Sequence, residues 1–140
     1  MAVEISNRTK KPLRRSVIER SVEAVLRFGK AKGSVSVVIV GDRTMRSLNK
    51  RYRGKDKVTD ILSFAESDSE APDKDFIGEL IIDLDQIERQ AKNFGNTKTK
   101  ELAFIVIHGA LHLLGYEDES ETGRRKMERL GEKLITSIRL

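Results

Sequence analysis

The chain has 140 residues, 38% hydrophobic and 35% charged, and 27 Lys and Arg against 22 Asp and Glu leave a formal net charge of +5. That length can close one hydrophobic core and that balance excludes a largely disordered chain, while the positive field suits a polyanion such as RNA, DNA or anionic lipid, the alternative being an ordinary solvated basic surface. With no cysteine, disulfides and thiolate metal sites are excluded and any metal must be held by nitrogen and oxygen.

The N-terminal MAVEISNRTKK has no apolar signal segment, which leads us to expect a cytoplasmic protein. Residues 3–7, VEISN, alternate apolar and polar as a short strand does. Pro12 is expected to open a helix in which Leu13, Val17, Val22, Val25 and Leu26 recur at helical spacing, with Gly29 and Gly33 near its end. SVSVVIVG, 34–41, is dense in β-branched residues and reads as a strand. Asp42 or Thr44 is placed to cap the next helix, with Met45, Leu48 and Tyr52 on one face and Gly54 at its end.

VTDILSFA, 58–65, reads as a strand, ESDSEAPDKD as an acidic loop and FIGELIIDL as another strand. A helix over about 84–94 follows, with Leu84, Ile87, Ala91 and Phe94 on one face and Gly95 as its stop. Thr97 or Thr99 can cap the next helix, whose run LAFIVIHGALHLL, 102–114, falls well short of the roughly 20 residues a bilayer needs and so reads as a buried core helix. Gly115 is placed to end it in a left-handed conformation. A last amphipathic helix, about 121–138, turns Met127, Leu130, Leu134 and Ile138 inward. Alternation of this kind predicts an α+β fold: one layered domain, with a mixed sheet of about four strands and about five helices.

Both histidines of the chain lie on the buried helix, four residues apart. Positions i and i+4 share a helix face, so His108 and His112 can aim at one point as a metal clamp; two core histidines bonded to backbone or to each other are the alternative. Gly115 permits a turn that can return a third ligand, Asp118, for a set of three that leaves a position open, as in catalytic zinc sites. Glu117 and Glu119 are neighbours that could take its place, and a loop that fails to close would leave only the two histidines. The spacing is that of metzincin proteases, but those enzymes need Glu after the first His, where this chain has Gly109. Protease chemistry is therefore not expected.

The run HGALHLLGYED, 108–118, resembles the H-G-x-L-H-L-x-G-Y-D-H signature of the YbeY family of bacterial endoribonucleases. LNKRYRGKDKVTDILSF, 48–64, resembles a second block of that family, IGELII, 77–82, its G-D/E-I/L strand, and Met127 falls where the family often has Met. The likeness runs along nearly the whole chain. It departs at one ligand: the family's third His is Asp118 here, which adds one negative charge to the site and favours harder ions than an all-His set does.

The resemblance implies a single metallo-endoribonuclease domain over 1–140, acting on single-stranded RNA in 16S rRNA 3′-end maturation and ribosome quality control. It implies one zinc ion per chain, with manganese or magnesium as alternatives given Asp118, and ribosomal RNA and ribosomal subunits as partners. It also places Arg53 on the scissile phosphate, with Lys50, Arg51, Lys55 and Lys57 as a rim for the RNA backbone. Attack on phosphorus by water and attack by the RNA 2′-hydroxyl are both open. Two other classes remain: a non-catalytic RNA- or ribosome-binding module with a decayed metal site, and a metal-dependent hydrolase of another substrate.

Overall fold

The computed structural model describes residues 2–140. Its elements in chain order are β1 (Val3–Asn7), α1 (Arg15–Phe28), β2 (Ser34–Val40), α2 (Asp42–Arg53), β3 (Ile61–Ala65), β4 (Phe76–Asp83), α3 (Leu84–Phe94), α4 (Lys98–Leu113) and α5 (Glu121–Ser137), with a 3-10 turn at Glu66–Asp68. The strands form one mixed sheet in the order β1-β2-β4-β3. β1, β2 and β4 run parallel, and β3 lies antiparallel against β4 at the edge. Five helices on a four-stranded mixed sheet make the α+β architecture that the alternating pattern predicts.

The period-two pattern of the strands decides which core each residue joins. Val35, Val37 and Ile39 of β2, with Leu80 and Ile82 of β4, meet Val17, Ile18, Val22 and Leu26 of α1 and Leu102, Ala103, Ile105 and Val106 of α4. Val38, Val40, Leu62 and Ile81 point to the opposite face, where Met45 of α2 covers them. A third cluster joins Val25, Ile107, Ala110 and Leu111 to Met127 and Leu134 of α5. Each fully buried Leu or Ile contributes about 1.5–3 kcal/mol. α4 touches α1, α3, α5 and the sheet, and its apolar run is what that central place demands.

Several local expectations are corrected. α1 begins at Arg15 rather than Pro12, because Arg14, its N-cap, is still non-helical at φ -88°, ψ 85°. The N-cap of α2 is Gly41, with no side-chain bond from Asp42 or Thr44. Residues 58–60 lie outside β3, since pairing with β4 begins at Ile61 opposite Ile82. Tyr52 is 50% and Phe94 72% exposed, although both continue the apolar stripe of their helices. Each lies in the last turn of its helix, beyond the core that buries Met45 and Ile87. Of the two threonines offered as caps for α4, Thr97 serves, accepting from the Lys100 amide.

Candidate metal centre

α4 carries His108 and His112 on the face turned toward the edge strand β3, and Gly109 sets how closely the two elements approach. A Cβ at Gly109 would lie 2.5 Å from Ile61 Cδ1, 3.1 Å from Ser63 Oγ and 3.2 Å from Leu80 Cδ2. The Ser63 hydroxyl donates to the Gly109 carbonyl at 3.2 Å, fixing the contact. A glutamate after His108 would not fit, so the absence of the metzincin base follows from the packing.

α4 ends at Leu113, and Gly115 then adopts φ +97°, a left-handed conformation that costs a side-chain-bearing residue strain. The turn is closed by Gly115 N–H donating to the His112 carbonyl (3.0 Å) and Tyr116 N–H to the Leu111 carbonyl (3.2 Å). It brings Asp118 back onto the histidines. The three pairwise distances are 3.1 Å for His108 Nε2 to His112 Nε2, 3.2 Å for His108 Nε2 to Asp118 Oδ2, and 3.4 Å for His112 Nε2 to Asp118 Oδ2.

That triangle has the dimensions of one face of a coordination tetrahedron: donors 2.0–2.1 Å from a common ion sit about 3.3 Å apart. The protonation pattern agrees. His112 Nδ1 lies 3.0 Å from the Tyr116 carbonyl oxygen, which can only accept, so this nitrogen carries the hydrogen and Nε2 turns a lone pair into the triangle. Burial first, and the neighbouring His112 second, lower the His108 pKa, with Asp118 pulling the other way. Histidine in its neutral form is what a metal requires. A cation at the centre of this triangle would take the His112 lone pair, the Asp118 carboxylate and His108 Nε2 together at 3.1–3.4 Å spacing, and the C-terminal end of α4 adds its own negative dipole end. The donor set therefore fits a divalent ion.

The acidic neighbours behave differently from Asp118. Glu117 spends its carboxylate on the start of α5, accepting from Glu119 N (2.7 Å), Ser120 N (3.0 Å) and Ser120 Oγ (2.7 Å). Those bonds hold its pKa below the usual range. Glu119 lines the adjoining cleft without joining the triangle.

This cleft is bounded by Asp60, Ser63, Asp68, His108, His112 and Glu119, and among the described residues Arg53 is the one Lys or Arg on its wall. Arg53 Nη2 donates to the Ser63 carbonyl at 2.7 Å, and its guanidinium carbon stands 4.9 Å above the Phe64 ring. An exposed side chain at the end of α2 is thereby held beside the histidines. Lys50, Arg51, Lys55 and Lys57 are exposed on α2 and the turn after it, outside the cleft wall.

Sequence reasoning missed the carboxylates Asp60 and Asp68 as cleft residues, and it offered Glu119 only as an alternative third ligand. Asp60 accepts from its neighbour's amide, Ile61 N, at 2.7 Å and from Gln90 Nε2 at 3.0 Å. A carboxylate holding a turn at the entrance to a strand leaves a weak local signal, and the link to Gln90, thirty residues away, leaves none.

A sequence profile of the family described as "Endoribonuclease YbeY" matches residues 3–139. The chain is 44% identical over 106 residues to the Endoribonuclease YbeY of Thermodesulfovibrio yellowstonii, covering 75% of this chain and 67% of that one. It is 35% identical over 125 residues to that of Carboxydothermus hydrogenoformans, covering 89% and 86%. Among solved structures it resembles the solution structure of TM1509 from Thermotoga maritima, with a TM-score of 0.63, 28% identity, and coverage of 96% and 90%.

Proposed function

We propose, for a chain that belongs to the YbeY family of endoribonucleases, that residues 1–140 act as one metal-dependent domain cleaving single-stranded RNA. The observation that carries this reading is the triangle of His108, His112 and Asp118 donors, whose two histidines share one cleft with Arg53. His108, His112 and Asp118 would hold one divalent ion. Zinc suits the two imidazoles and the donor spacing, and the carboxylate makes manganese or magnesium the alternatives. A bound ion supplies positive charge and Lewis acidity next to the scissile phosphate.

The residues of the chain do the rest. Arg53, held by the Ser63 carbonyl and the Phe64 ring, keeps N–H donors free for a phosphate oxygen and stabilises the charge that develops there. Asp60, Asp68 and Glu119 make the cleft wall acidic, so a phosphate is repelled from it unless a cation is bound. RNA entry is thereby coupled to metal loading. Lys50, Arg51, Lys55 and Lys57 lie around the end of α2, where they neutralise backbone phosphates of the approaching strand. The turn that delivers Asp118 also orients His112 through the Tyr116 carbonyl, so one short segment sets two of the three ligands.

The natural task proposed for this activity is trimming the 3′ end of 16S rRNA and clearing faulty ribosomes in the cytoplasm, with ribosomal RNA and subunits as partners. Among the described residues no helix is long and apolar enough to cross a membrane. The direct test incubates end-labelled single-stranded and duplex RNA with the protein, with chelator and after metal is restored. The single strand is cleaved, chelator stops cleavage and metal restores it. Intact single-stranded RNA after incubation with protein saturated in zinc, manganese or magnesium contradicts the reading.

A further inference from the structure

On the side of the sheet away from α4, a groove opens between α2 and the strands, lined among others by Arg8, Thr44, Leu48, Tyr52 and Phe64. The chain has only seven Phe and Tyr residues, five and two, and two of them meet here, far from the main core. Tyr52 is half exposed and packs edge-on against Phe64, with ring centroids 5.4 Å apart and planes at 73°. Each ring carries its own guanidinium: Arg51 stands 5.2 Å from the Tyr52 centroid and Arg53 4.9 Å from that of Phe64.

The groove and the metal cleft are neighbours. β3 is the edge strand, so its side chains alternate between the two faces with nothing beyond them. Phe64 joins the outer cluster, whereas Ser63, one residue back, bonds to α4. Arg53 spans that edge, touching the Phe64 ring on one side and lining the His108 and His112 cleft on the other.

We propose that Tyr52, backed by Phe64 and flanked by Arg51, is a stacking platform for the unpaired base of a nucleotide adjoining the phosphate held at Arg53. The proposal rests on the endoribonuclease reading and deepens it. A strand crossing the β3 edge places a phosphate in the cleft and turns a neighbouring base toward the aromatic pair. Every base offers a π face to an aromatic ring, and guanidinium planes add to the stack, so the subsite tolerates sequence. A base inside a duplex has no free face to offer. The platform thus gives the enzyme its preference for single strands.

The test is single-turnover cleavage by metal-replete protein over a range of enzyme concentrations, which separates the half-saturating concentration from the saturated rate. The substrates are one single-stranded RNA and a series in which each nucleotide in turn is abasic; the proteins are wild type, Tyr52→Phe and Tyr52→Leu. Stacking on an aromatic is worth about tenfold or more in affinity. Tyr52→Leu is expected to raise the half-saturating concentration about tenfold, and Tyr52→Phe to leave it within about twofold. One abasic position next to the cleavage site costs wild type a similar factor and costs Tyr52→Leu nothing. An unchanged half-saturating concentration for Tyr52→Leu, or a wild type indifferent to every abasic position, overturns the platform while leaving the nuclease standing. A wild type that cleaves none of these RNAs overturns both.

Discussion

His112 Nδ1 lies 3.0 Å from the carbonyl oxygen of Tyr116, on the far side of the Gly115 turn. The bond fixes the hydrogen on Nδ1, aims Nε2 at His108 and ties the imidazole to the segment that returns Asp118. The ligand set is therefore only as well ordered as the turn. Gly115→Ala forces a side chain into φ +97°, at a cost of about 1–2 kcal/mol. We expect a small fall in melting temperature and a larger loss of metal affinity, read by thermal melting and by titration against a chromophoric chelator. Equal metal affinity in variant and wild type would show that the turn does not govern the ligands.

Asp118 stands where the signature that this chain resembles has its third histidine, and two substitutions there separate ligand from bystander. Asp118→Ala should weaken metal binding by more than the roughly 10- to 100-fold that follows loss of a residue merely supporting a ligand. Asp118→His should hold zinc at least as well as wild type, because imidazole is the softer donor. Chelator competition at fixed pH reads both. An alanine variant that binds zinc as tightly as wild type removes Asp118 from the site.

Arg53→Ala should slow RNA cleavage about 100-fold, the scale seen when one donor to developing charge is lost. The fold should lose no more than about 0.5–1 kcal/mol, the value of an exposed cation–π contact. Arg53→Lys keeps the charge but not the fork that serves Ser63 and a phosphate together, so it should recover only part of the rate. Cleavage rates set beside urea midpoints check this, and an alanine variant as active as wild type would contradict it.

A pH prediction comes from the C-terminal end of β4. Asp83 is fully buried; its Oδ1 caps α3 by accepting from Asp85 N and Gln86 N, while its Oδ2 has no hydrogen-bond partner among the described residues. Burial first, then the neighbouring Asp42 carboxyl, push its pKa from 3.8 up to about 7. Asp42 stays ionised, clamped at both oxygens by Arg89. Because the folded state holds the Asp83 proton more tightly than the unfolded chain, this group's contribution is complete below the unfolded pKa of 3.8 and is lost as pH rises toward about 7. Asp83→Asn keeps the cap acceptor without the charge. Relative to wild type it should gain stability progressively between pH 4 and pH 7 and hold that gain at about pH 8. Urea midpoints across that range test it, and a difference that does not change with pH would contradict it.

Much of this was legible in the sequence, for identifiable reasons. The HxxxH spacing places two imidazoles on one face whatever surrounds them, and Gly115 marked the turn that returns Asp118. β2, with its β-branched run, could hardly be anything but a strand. Tyr52 and Phe94 misled because apolar periodicity names a helix face without saying how far the core extends beneath it. The bonds from Glu117 to the start of α5, which separate it from Asp118 as a ligand candidate, depend on loop geometry that spacing does not encode. The meeting of Arg53, Ser63 and Gly109 depends on β3 lying at the sheet edge against α4. That is a tertiary fact, and no local pattern announces it.

The central claim is that RNA is cut where His108, His112 and Asp118 hold one metal ion. The most direct measurement strips the protein of metal, returns zinc or manganese in increments, and follows bound metal and single-stranded RNA cleavage in the same samples, with the His108→Ala, His112→Ala double variant alongside. The account predicts cleavage that rises in proportion to bound metal and levels off at about one ion per chain, with neither binding nor cleavage in the double variant. Undiminished cleavage by the stripped protein, or by the double variant, would contradict it.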